Sequence, residues 1–383
     1  MHILHITPYY PPTWAYGGIP RIVYGLSKAQ KQLGHSIRIL TTDVFDDSSR
    51  NALPLHRTED GIHITNLRNL SNRLAYKQLF LPLSTNVLKR IPKPDIIHMH
   101  GHRHLLNNIA HRYAQENNIP YVLTSNGTLH RHEKRLTIKK IWDALFSRQI
   151  LRDATHFIAV SPFDIHIHRK ANIASHRITL IPNGLDLGEF SSLPSKDRFR
   201  REFGLDDRPI ITYLGQLSPR KGVLHLIEAC SQIPDIQLVI AGNDMGIGEK
   251  VYQKANSYDN IFCVGLLSGI KRLALLRDTT ILVYPSTNEI FGLSPFEGLL
   301  CGAPAIVSDD CGCGQLISKA QAGLLMRYGD IADIREKIQI LLHDDELRTI
   351  MVQRGKEYIS QQLAFPIIAQ QHIDLYESLL GIQ

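Results

Sequence analysis

The sequence predicts an α/β protein built from two doubly wound domains that face each other across a central cleft. Its 383 residues exceed what one hydrophobic core usually organises and suit two domains. Short apolar runs alternate with longer amphipathic stretches, as strands and helices do in a doubly wound sheet. The series stops at a turn signal, Ile181–Gly184, and then starts again. Because ligands of such sheets bind at the carboxyl ends of the strands, we expect a ligand between the domains.

The first domain, residues 1–181, is predicted from runs that are rich in Val and Ile and show no polar alternation. Such runs are typical of parallel strands that are covered on both faces. Helical patterns between them include Ile19–Leu33 and Arg103–Asn117. The predicted strands are His2–Thr7, Ser36–Thr42, Asp95–His100, Pro120–Ser125, His156–Val160 and Arg177–Ile181.

The second domain, residues 182–364, repeats the pattern of strands and helices. Helices are predicted at Val223–Ser231 and Phe296–Leu300, and a helical tail is predicted from Ile331 to Leu380. The predicted strands are Pro209–Leu214, Gln237–Ala241, Asn260–Val264, Thr280–Tyr284 and Ala305–Ser308.

The composition is that of a globular protein, since 43% of the residues are hydrophobic and 21% are charged. No run of about 18 apolar residues occurs, so no membrane-spanning helix is predicted. The chain opens with a predicted strand and lacks the features of a signal peptide, so we expect a cytoplasmic protein. The five cysteines are thinly spread and frame neither a disulfide scaffold nor a zinc site.

Charge is distributed unevenly along the chain. Residues 1–180 contain 24 Lys and Arg against 11 Asp and Glu, a net charge of +13, whereas residues 181–383 contain 19 against 25. The basic half predicts an anionic partner, either a lipid surface, a phosphorylated acceptor or nucleic acid. Nucleic acid is disfavoured because the sequence has no recognisable module for reading it.

The strongest functional signal is the segment Glu289-Ile-Phe-Gly-Leu-Ser-Pro-Phe-Glu297, which follows a predicted strand and opens a predicted helix. Gly292 and its neighbours can present free backbone N–H groups at the helix start, and such groups favour a phosphate. The carboxylates of Glu289 and Glu297 can accept hydrogen bonds from the hydroxyls of a sugar or a ribose. A solvated loop with two surface glutamates is the alternative.

Two glycine-containing segments also lie between a strand and a helix. Tyr213–Gly222 carries Arg220 and Lys221 just before its helix, where a lysine is either functional or simply solvated. Gly17 and Gly18 would let the backbone approach a diphosphate or an acceptor closely. They lack the full dinucleotide fingerprint, so binding of NAD is disfavoured.

Histidines cluster at the end of the strand that contains His98 and His100. Side chains two residues apart in a strand share a face, so these two are expected to point together. Alternating histidines are consistent with a metal site or with a satisfied core residue.

The two glutamates, followed by Gly302-Ala-Pro304-Ala-Ile-Val-Ser308, resemble the retaining glycosyltransferases of family 4, which have the GT-B fold. The segment Pro182–Asp186 resembles the start of the second domain of that family. The resemblance covers essentially the whole chain. It implies that residues 365–383 form a helix that returns to the first domain.

The resemblance also implies roles for individual residues. Glu289 would contact the donor sugar and Glu297 the ribose of the donor, while backbone amides of Phe291, Gly292 and Leu293 would hold the distal phosphate. Lys221 and His100 would join Glu289 as catalytic residues. The remaining donor-binding residues would be Gly17 and Gly18 in the first domain and Gln216, Arg220 and Leu266 in the second.

One position departs from the family, because Gln216 occupies the place of an arginine that neutralises the departing diphosphate. Arg220 lies beside Lys221 in the sequence and is expected to supply that charge. No Asp-x-Asp triplet occurs, so a metal-bound diphosphate is not predicted and no cofactor is expected.

The expected activity is transfer of a hexosyl unit, with retention of configuration, from a nucleotide diphosphate sugar. The acceptor would be a glycan, a lipid-linked or a phosphorylated molecule, in the synthesis of a cell-surface polysaccharide or glycolipid. A nucleotide-sugar-binding protein without turnover and a GT-B epimerase are the alternatives.

Residues 130–152 carry seven Lys and Arg against one Glu and one Asp, with apolar residues at helical spacing. This segment predicts either a helix packed on the first sheet or peripheral attachment to the anionic inner face of the cell membrane.

Overall fold

The computed structural model describes residues 1–14, 17–45, 49–71, 74–75, 87–129 and 147–382. These residues form two compact units. The first contains Met1–Leu185 together with Phe365–Gln383, and the second contains Asp186–Ala364. Most of the basic segment at residues 130–152 lies outside the described residues, as does Tyr16.

The first unit contains an eight-stranded sheet in the order β3-β4-β2-β1-β5-β6-β7-β8. All neighbouring strands are parallel except β3, which runs antiparallel to β4 at one edge. The strands are β1 (His2–Ile6), β2 (Ser36–Thr42), β3 (His56–Glu59), β4 (Ile62–Leu67), β5 (Ile96–His100), β6 (Tyr121–Thr124), β7 (His156–Ala159) and β8 (Ile178–Leu180). The helices are α1 (Gly18–Gln32), α2 (Leu105–Asn117), α3 (Arg148–Asp153) and α4 (Pro162–Lys170), with 3-10 turns at Val87–Arg90 and Ser175–Arg177.

The second unit contains a six-stranded parallel sheet in the order β11-β10-β9-β12-β13-β14. The strands are β9 (Ile210–Leu214), β10 (Gln237–Ala241), β11 (Ile261–Gly265), β12 (Ile281–Tyr284), β13 (Ala305–Ser308) and β14 (Gly323–Met326). The helices are α5 (Arg198–Phe203), α6 (Val223–Cys230), α7 (Gly248–Ala255), α8 (Gly269–Asp278), α9 (Leu293–Cys301), α10 (Gly312–Ala320), α11 (Ile331–His343) and α12 (Asp345–Tyr358). Leu187–Phe190 and Pro219–Lys221 are 3-10 turns, and Ile359–Leu363 is a π-helical turn.

Both sheets have the doubly wound topology that the sequence predicts. In each, the strand order reverses beside the unit's first strand, at β1 and β5 in the first unit and at β9 and β12 in the second. Such a reversal leaves a crevice at the carboxyl ends of the two strands, where ligands of this fold class bind. The two candidate sites described below lie at these points.

Every predicted strand is confirmed to within one residue at each end, but three observed strands were not predicted. The edge strand β3 has the sequence His-Arg-Thr-Glu and is largely exposed, so it carries no apolar signal. The neighbouring β4 and the edge strand β14 are the other two.

The predicted start of one helix is corrected. Helix α9 begins at Leu293 rather than Phe296, so Gly292 is its N-cap. The tail is helical as predicted and is divided into three helices. The Asp344 side chain accepts a hydrogen bond from Leu347 N at the start of α12, and Ala364 before the last helix is extended.

Helix α13 (Phe365–Leu380) packs in the first unit against α1. Two glycines make room for its first residue. A Cβ atom on Gly25 would lie 2.0 Å from Phe365 Cε2, and one on Gly184 would lie 2.3 Å from Phe365 Cδ1. Phe365 N also donates to Leu185 O at 3.2 Å, so this residue fixes the start of α13 against the first unit.

None of the helices in the described part of the chain is long and apolar enough to span a membrane.

Candidate active site

The candidate site in the second unit lies where β9 and β12 end. A 3-10 turn after β9 carries Arg220 and Lys221, and the next residue, Gly222, has a φ of 64°. A Cβ atom on Gly222 would lie 2.1 Å from Pro285 O, so only glycine permits this approach to the end of β12. Thr287 N donates to Arg220 O at 3.0 Å, which ties the two loops together.

One oxygen of Glu289 is the centre of this site. Glu289 Oε2 accepts from Lys221 Nζ, from Arg220 Nη1 at 3.2 Å, from the Tyr284 hydroxyl at 3.1 Å and from the Ser286 hydroxyl at 3.3 Å. The Lys221 side chain is almost fully buried. With Oε2 engaged by four donors, Oε1 is the oxygen left for a further hydrogen-bond donor.

The charges of the site stabilise one another. Burial alone would raise the pKa of Glu289, but Lys221 and Arg220 hold it well below its usual range. Burial lowers the pKa of Lys221, and the charge of Glu289 opposes that shift. Glu289 is therefore a carboxylate at neutral pH and remains an acceptor of hydrogen bonds.

Tyr284 belongs to the site although the sequence predicts it only as a strand residue. Its hydroxyl also contacts Lys221 Nζ, which lies 4.7 Å from the centre of its ring. The ring lies parallel to that of Tyr213, with centroids 6.3 Å apart. A tyrosine at the end of a buried strand is a usable signal, because its hydroxyl needs a polar partner there.

The start of α9 has no side-chain cap among the described residues. Its N-cap, Gly292, has a φ of 71° and no side chain to cap the first amides. A Cβ atom on Gly292 would lie 3.0 Å from Tyr284 Cε1, so the helix start sits against the tyrosine. Phe291 is buried and packs on Phe296, which leaves Leu293 at the partly exposed first turn. Amides at a helix start attract a phosphate.

Glu297 makes a separate ion pair. Its Oε2 accepts from Arg272 Nη1 at 2.6 Å, and Arg272 Nη2 donates to Glu189 Oε1 at 2.5 Å. Only 3% of Glu297 is exposed, so any ribose must share this carboxylate with a buried arginine. The two glutamates therefore lie in different ion-pair clusters.

The other predicted donor residues of this unit are more exposed. The Gln216 carbonyl accepts from the Tyr213 hydroxyl at 2.8 Å, and the Gln216 side chain forms no hydrogen bond with a described residue. Arg220, not Gln216, contacts Glu289. Leu266 follows β11 directly and is 57% exposed.

In the first unit, Gly17 is the N-cap of α1 and Gly18 is its first residue. Gly17 has a φ of 89°, a conformation that favours glycine, and no side chain of a described residue caps the helix. Amides at a helix start are compatible with a phosphate or an acceptor.

His100 lies at the end of β5 and is almost completely buried. His98 and His100 point together, with ring centroids 3.9 Å apart, which confirms that they share a face. Ring nitrogens of His5, His98 and His100 lie within 4.8 Å of one another, close enough for a metal ion. However, His98 uses both nitrogens, for the Tyr376 hydroxyl at 2.6 Å and the Thr124 hydroxyl at 2.7 Å. Because His98 has no ring nitrogen left for a metal ion, the three rings fit a hydrogen-bond relay better than a shared metal site.

Two family models match the two halves of the chain. The model described as "Glycosyl transferases group 1" matches residues 195–358, and the model described as "Glycosyltransferase Family 4" matches residues 16–189.

Individual proteins are similar over the full length. An uncharacterized glycosyltransferase of Methanocaldococcus jannaschii is 26% identical, over 94% of this chain and 93% of the relative. The GDP-mannose:cellobiosyl-diphosphopolyprenol alpha-mannosyltransferase of Xanthomonas oryzae pv. oryzae is 23% identical, over 100% of this chain and 98% of the relative. The structure of Anabaena HepE in complex with UDP-glucose superposes with a TM-score of 0.80 at 19% identity, covering 99% of this chain and 100% of that chain.

Proposed function

Because the chain belongs to the group 1 glycosyltransferases of the GT-B fold, we propose that it moves a hexosyl unit from a nucleotide diphosphate sugar to a lipid-linked or glycan acceptor. The observation that carries this proposal is the set of donors gathered on Glu289 Oε2 beside the open start of α9.

Loss of the nucleotide diphosphate requires stabilisation of its developing negative charge. Lys221, Arg220 and the first amides of α9 would supply it, because positioned donors in a buried site can contribute several kcal/mol. Glu289 would orient the donor sugar through Oε1, and positioning of this kind raises the rate of transfer.

We propose that configuration is retained by attack from the face that the diphosphate leaves. The bond between the anomeric carbon and the phosphate oxygen breaks, and the acceptor oxygen bonds to that carbon. The acceptor proton passes to the departing phosphate, so no carboxylate nucleophile is needed. Glu289 is unsuited to be that nucleophile while Lys221 and Arg220 hold its charge.

The donor and acceptor are tested with the purified protein and a panel of UDP-, GDP- and ADP-sugars. A diphosphopolyprenol-linked disaccharide is a suitable acceptor probe, because the name of the mannosyltransferase relative specifies an acceptor of this kind. Transfer with an α-linked product from an α-linked donor is expected. Epimerised donor without acceptor would indicate an epimerase, and donor binding without any product would indicate a binding protein.

The site is tested by Lys221→Ala and Glu289→Ala, each expected to lower turnover by more than about tenfold, or about 1.4 kcal/mol. Lys254→Ala is the matched control, because this lysine pairs with Glu228 at a more exposed position of the same unit. Normal rates in both site variants would overturn the assignment.

A lipid-linked acceptor would place the reaction at a membrane surface. We propose that the basic first half, with its net charge of +13, attaches the protein to the anionic inner face of the membrane. Co-sedimentation with anionic vesicles should be strong at about 0.05 M salt and weak at about 0.5 M salt. Equal binding to neutral vesicles would favour a phosphorylated soluble acceptor instead.

A further inference from the structure

A small cavity in the first unit lies between the sheet and the helices α1 and α13. Apolar side chains form most of its wall, and its polar lining residues are His98, His100, Thr124, Asn183 and His372. It has room for about one water molecule. The positions of the ring hydrogens on His100 and His372 determine which ligands this cavity can bind.

The proton position of His372 follows from its one hydrogen bond. Its Nδ1 lies 2.8 Å from Ile368 O, and a carbonyl oxygen only accepts, so Nδ1 carries the hydrogen. Burial lowers the pKa of His372 to about 4, so the ring is neutral at physiological pH. Its Nε2 is therefore a hydrogen-bond acceptor.

The proton position of His100 follows from a relay that begins at Gln30. Gln30 Oε1 lies 2.7 Å from His5 Nε2, so that nitrogen donates. His5 is neutral, because burial lowers its pKa to about 4, and its Nδ1 must accept. The donor to it is His100 Nε2, 2.9 Å away. This leaves His100 Nδ1 as an acceptor, and it has no hydrogen-bond partner among the described residues.

We propose that this cavity binds a group that donates hydrogen bonds, namely a water molecule or one hydroxyl of a substrate, with His100 Nδ1 and His372 Nε2 as acceptors. Gln30 and His5 are then positioning residues that set the tautomer of His100. Only the assignment of the hydroxyl to a substrate rests on the proposed transferase function.

Other ligand classes fit the cavity poorly. Carbonyl and phosphate oxygens only accept hydrogen bonds, so they would meet two lone pairs. A metal ion would bring charge into a lining that contains no carboxylate among the described residues, and the burial of an uncompensated charge is costly.

The tautomers can be measured directly by side-chain ¹⁵N NMR of protein labelled at histidine. His100→Asn and His372→Asn assign the two rings by the loss of their signals. We expect His100 with its hydrogen on Nε2 and His372 with its hydrogen on Nδ1. A hydrogen on His100 Nδ1, as a reversed Gln30 amide would produce, overturns the proposal.

Variants of Gln30 test the relay. Gln30→Met removes the acceptor for His5, so the Nδ1-protonated form of His100 should appear, and Gln30→Glu should restore the original tautomer. Gln370→Met, at an exposed position of α13, is the matched control and should change neither ring. An unchanged His100 tautomer in Gln30→Met would mean that Gln30 has only a structural role.

Two probes identify the occupant. If UDP-glucose shifts both acceptor nitrogens, the bound group is a substrate hydroxyl. If the nitrogens do not shift but exchange magnetisation with water, the bound group is water, and either result supports the proposal. Stoichiometric zinc chloride that shifts the same nitrogens would overturn it. None of these readouts depends on sugar transfer, so failure of the transferase assay leaves them valid.

Discussion

Tyr284, the last residue of β12, donates a hydrogen bond from its hydroxyl to Glu289 Oε2 at 3.1 Å. The same hydroxyl contacts Lys221 Nζ, so one side chain holds both members of the buried ion pair. Tyr284 thus joins Lys221 and Glu289 in the candidate site, although no motif indicated it.

Tyr284→Phe should lower kcat/KM for the donor by about tenfold or more, since hydrogen bonds to charged groups contribute about 1.5–3 kcal/mol. The phenylalanine keeps the packing against Tyr213, so the melting temperature should change little. Tyr252→Phe, at an exposed position of the same unit, is the control. An unchanged kcat/KM would mean that Lys221 and Glu289 hold their positions without the hydroxyl.

Arg220 should compensate for the missing arginine at position 216, because its guanidinium lies 3.2 Å from Glu289. We expect Arg220→Ala to reduce turnover by an amount approaching that of Lys221→Ala, while Gln216→Arg keeps or raises activity. Steady-state kinetics with a saturating acceptor measure both. If Arg220→Ala is silent, Lys221 and the α9 amides suffice for the diphosphate.

Glu297→Ala should impair folding as well as donor binding. Arg272 is 6% exposed, and removal of one partner leaves its charge only partly compensated, which typically costs about 3–5 kcal/mol for a fully buried pair. Glu189, 2.5 Å from Arg272, reduces that cost. Denaturant unfolding should show a lower midpoint for Glu297→Ala than for Glu289→Gln. Restored stability in Glu297→Leu with Arg272→Met would confirm the electrostatic cause.

As pH falls, the first unit should lose stability before the carboxylates become protonated. Burial lowers the pKa of His5, His104 and His372 to about 4, against about 6.5 in the unfolded chain. Between those values the unfolded state binds more protons, so stability falls as pH falls from about 6.5 towards 4, by up to about 1.4 kcal/mol per pH unit for each histidine. Above pH 6.5 these three histidines contribute no further slope, because they are neutral in both states.

Denaturant unfolding from pH 7.5 to 5 measures this slope. His372→Phe should reduce it, and His343→Gln, at an exposed position, should not. A stability that stays constant over this range would show that folding does not lower the pKa of these histidines.

Gly25→Ala should loosen α13, because the added methyl would lie 2.0 Å from the Phe365 ring. Overpacking of this kind costs about 1–3 kcal/mol. Hydrogen exchange should speed up in α13 relative to wild type, and Lys28→Ala on the same helix should not have this effect. Phe365→Leu should partly rescue the variant if the clash is the cause.

The strands could be predicted because buried parallel strands are continuous runs of Ile, Val and Leu, such as β9 and β12. The edge strand β3 could not be predicted, because its exposed His-Arg-Thr-Glu sequence has no apolar pattern and the strand is defined by its backbone pairing with β4. The family resemblance implied that Glu289 and Lys221 are catalytic residues of one site. The hydrogen bond from Arg272 to Glu297 joins residues 25 positions apart in different helices, so no local sequence pattern predicts it.

The sequence did not predict the hydrogen-bond relay from Gln30 to His100 either. Spacing showed that His98 and His100 share a face, but the partners come from α1, β1 and α13. Contacts of this kind depend on the packing of elements that are far apart in the sequence.

The position of Phe365 between Gly25 and Gly184 has a consequence for synthesis on the ribosome. Residues 1–185 emerge first, yet the helix that covers Val23 and Leu26 follows 179 residues of the second unit. The second unit has its whole sequence available before α13 is made, so it can complete its fold earlier. In a chain made from its N-terminus, the unit that begins first is therefore completed last, and until then its uncovered apolar face makes it prone to aggregation.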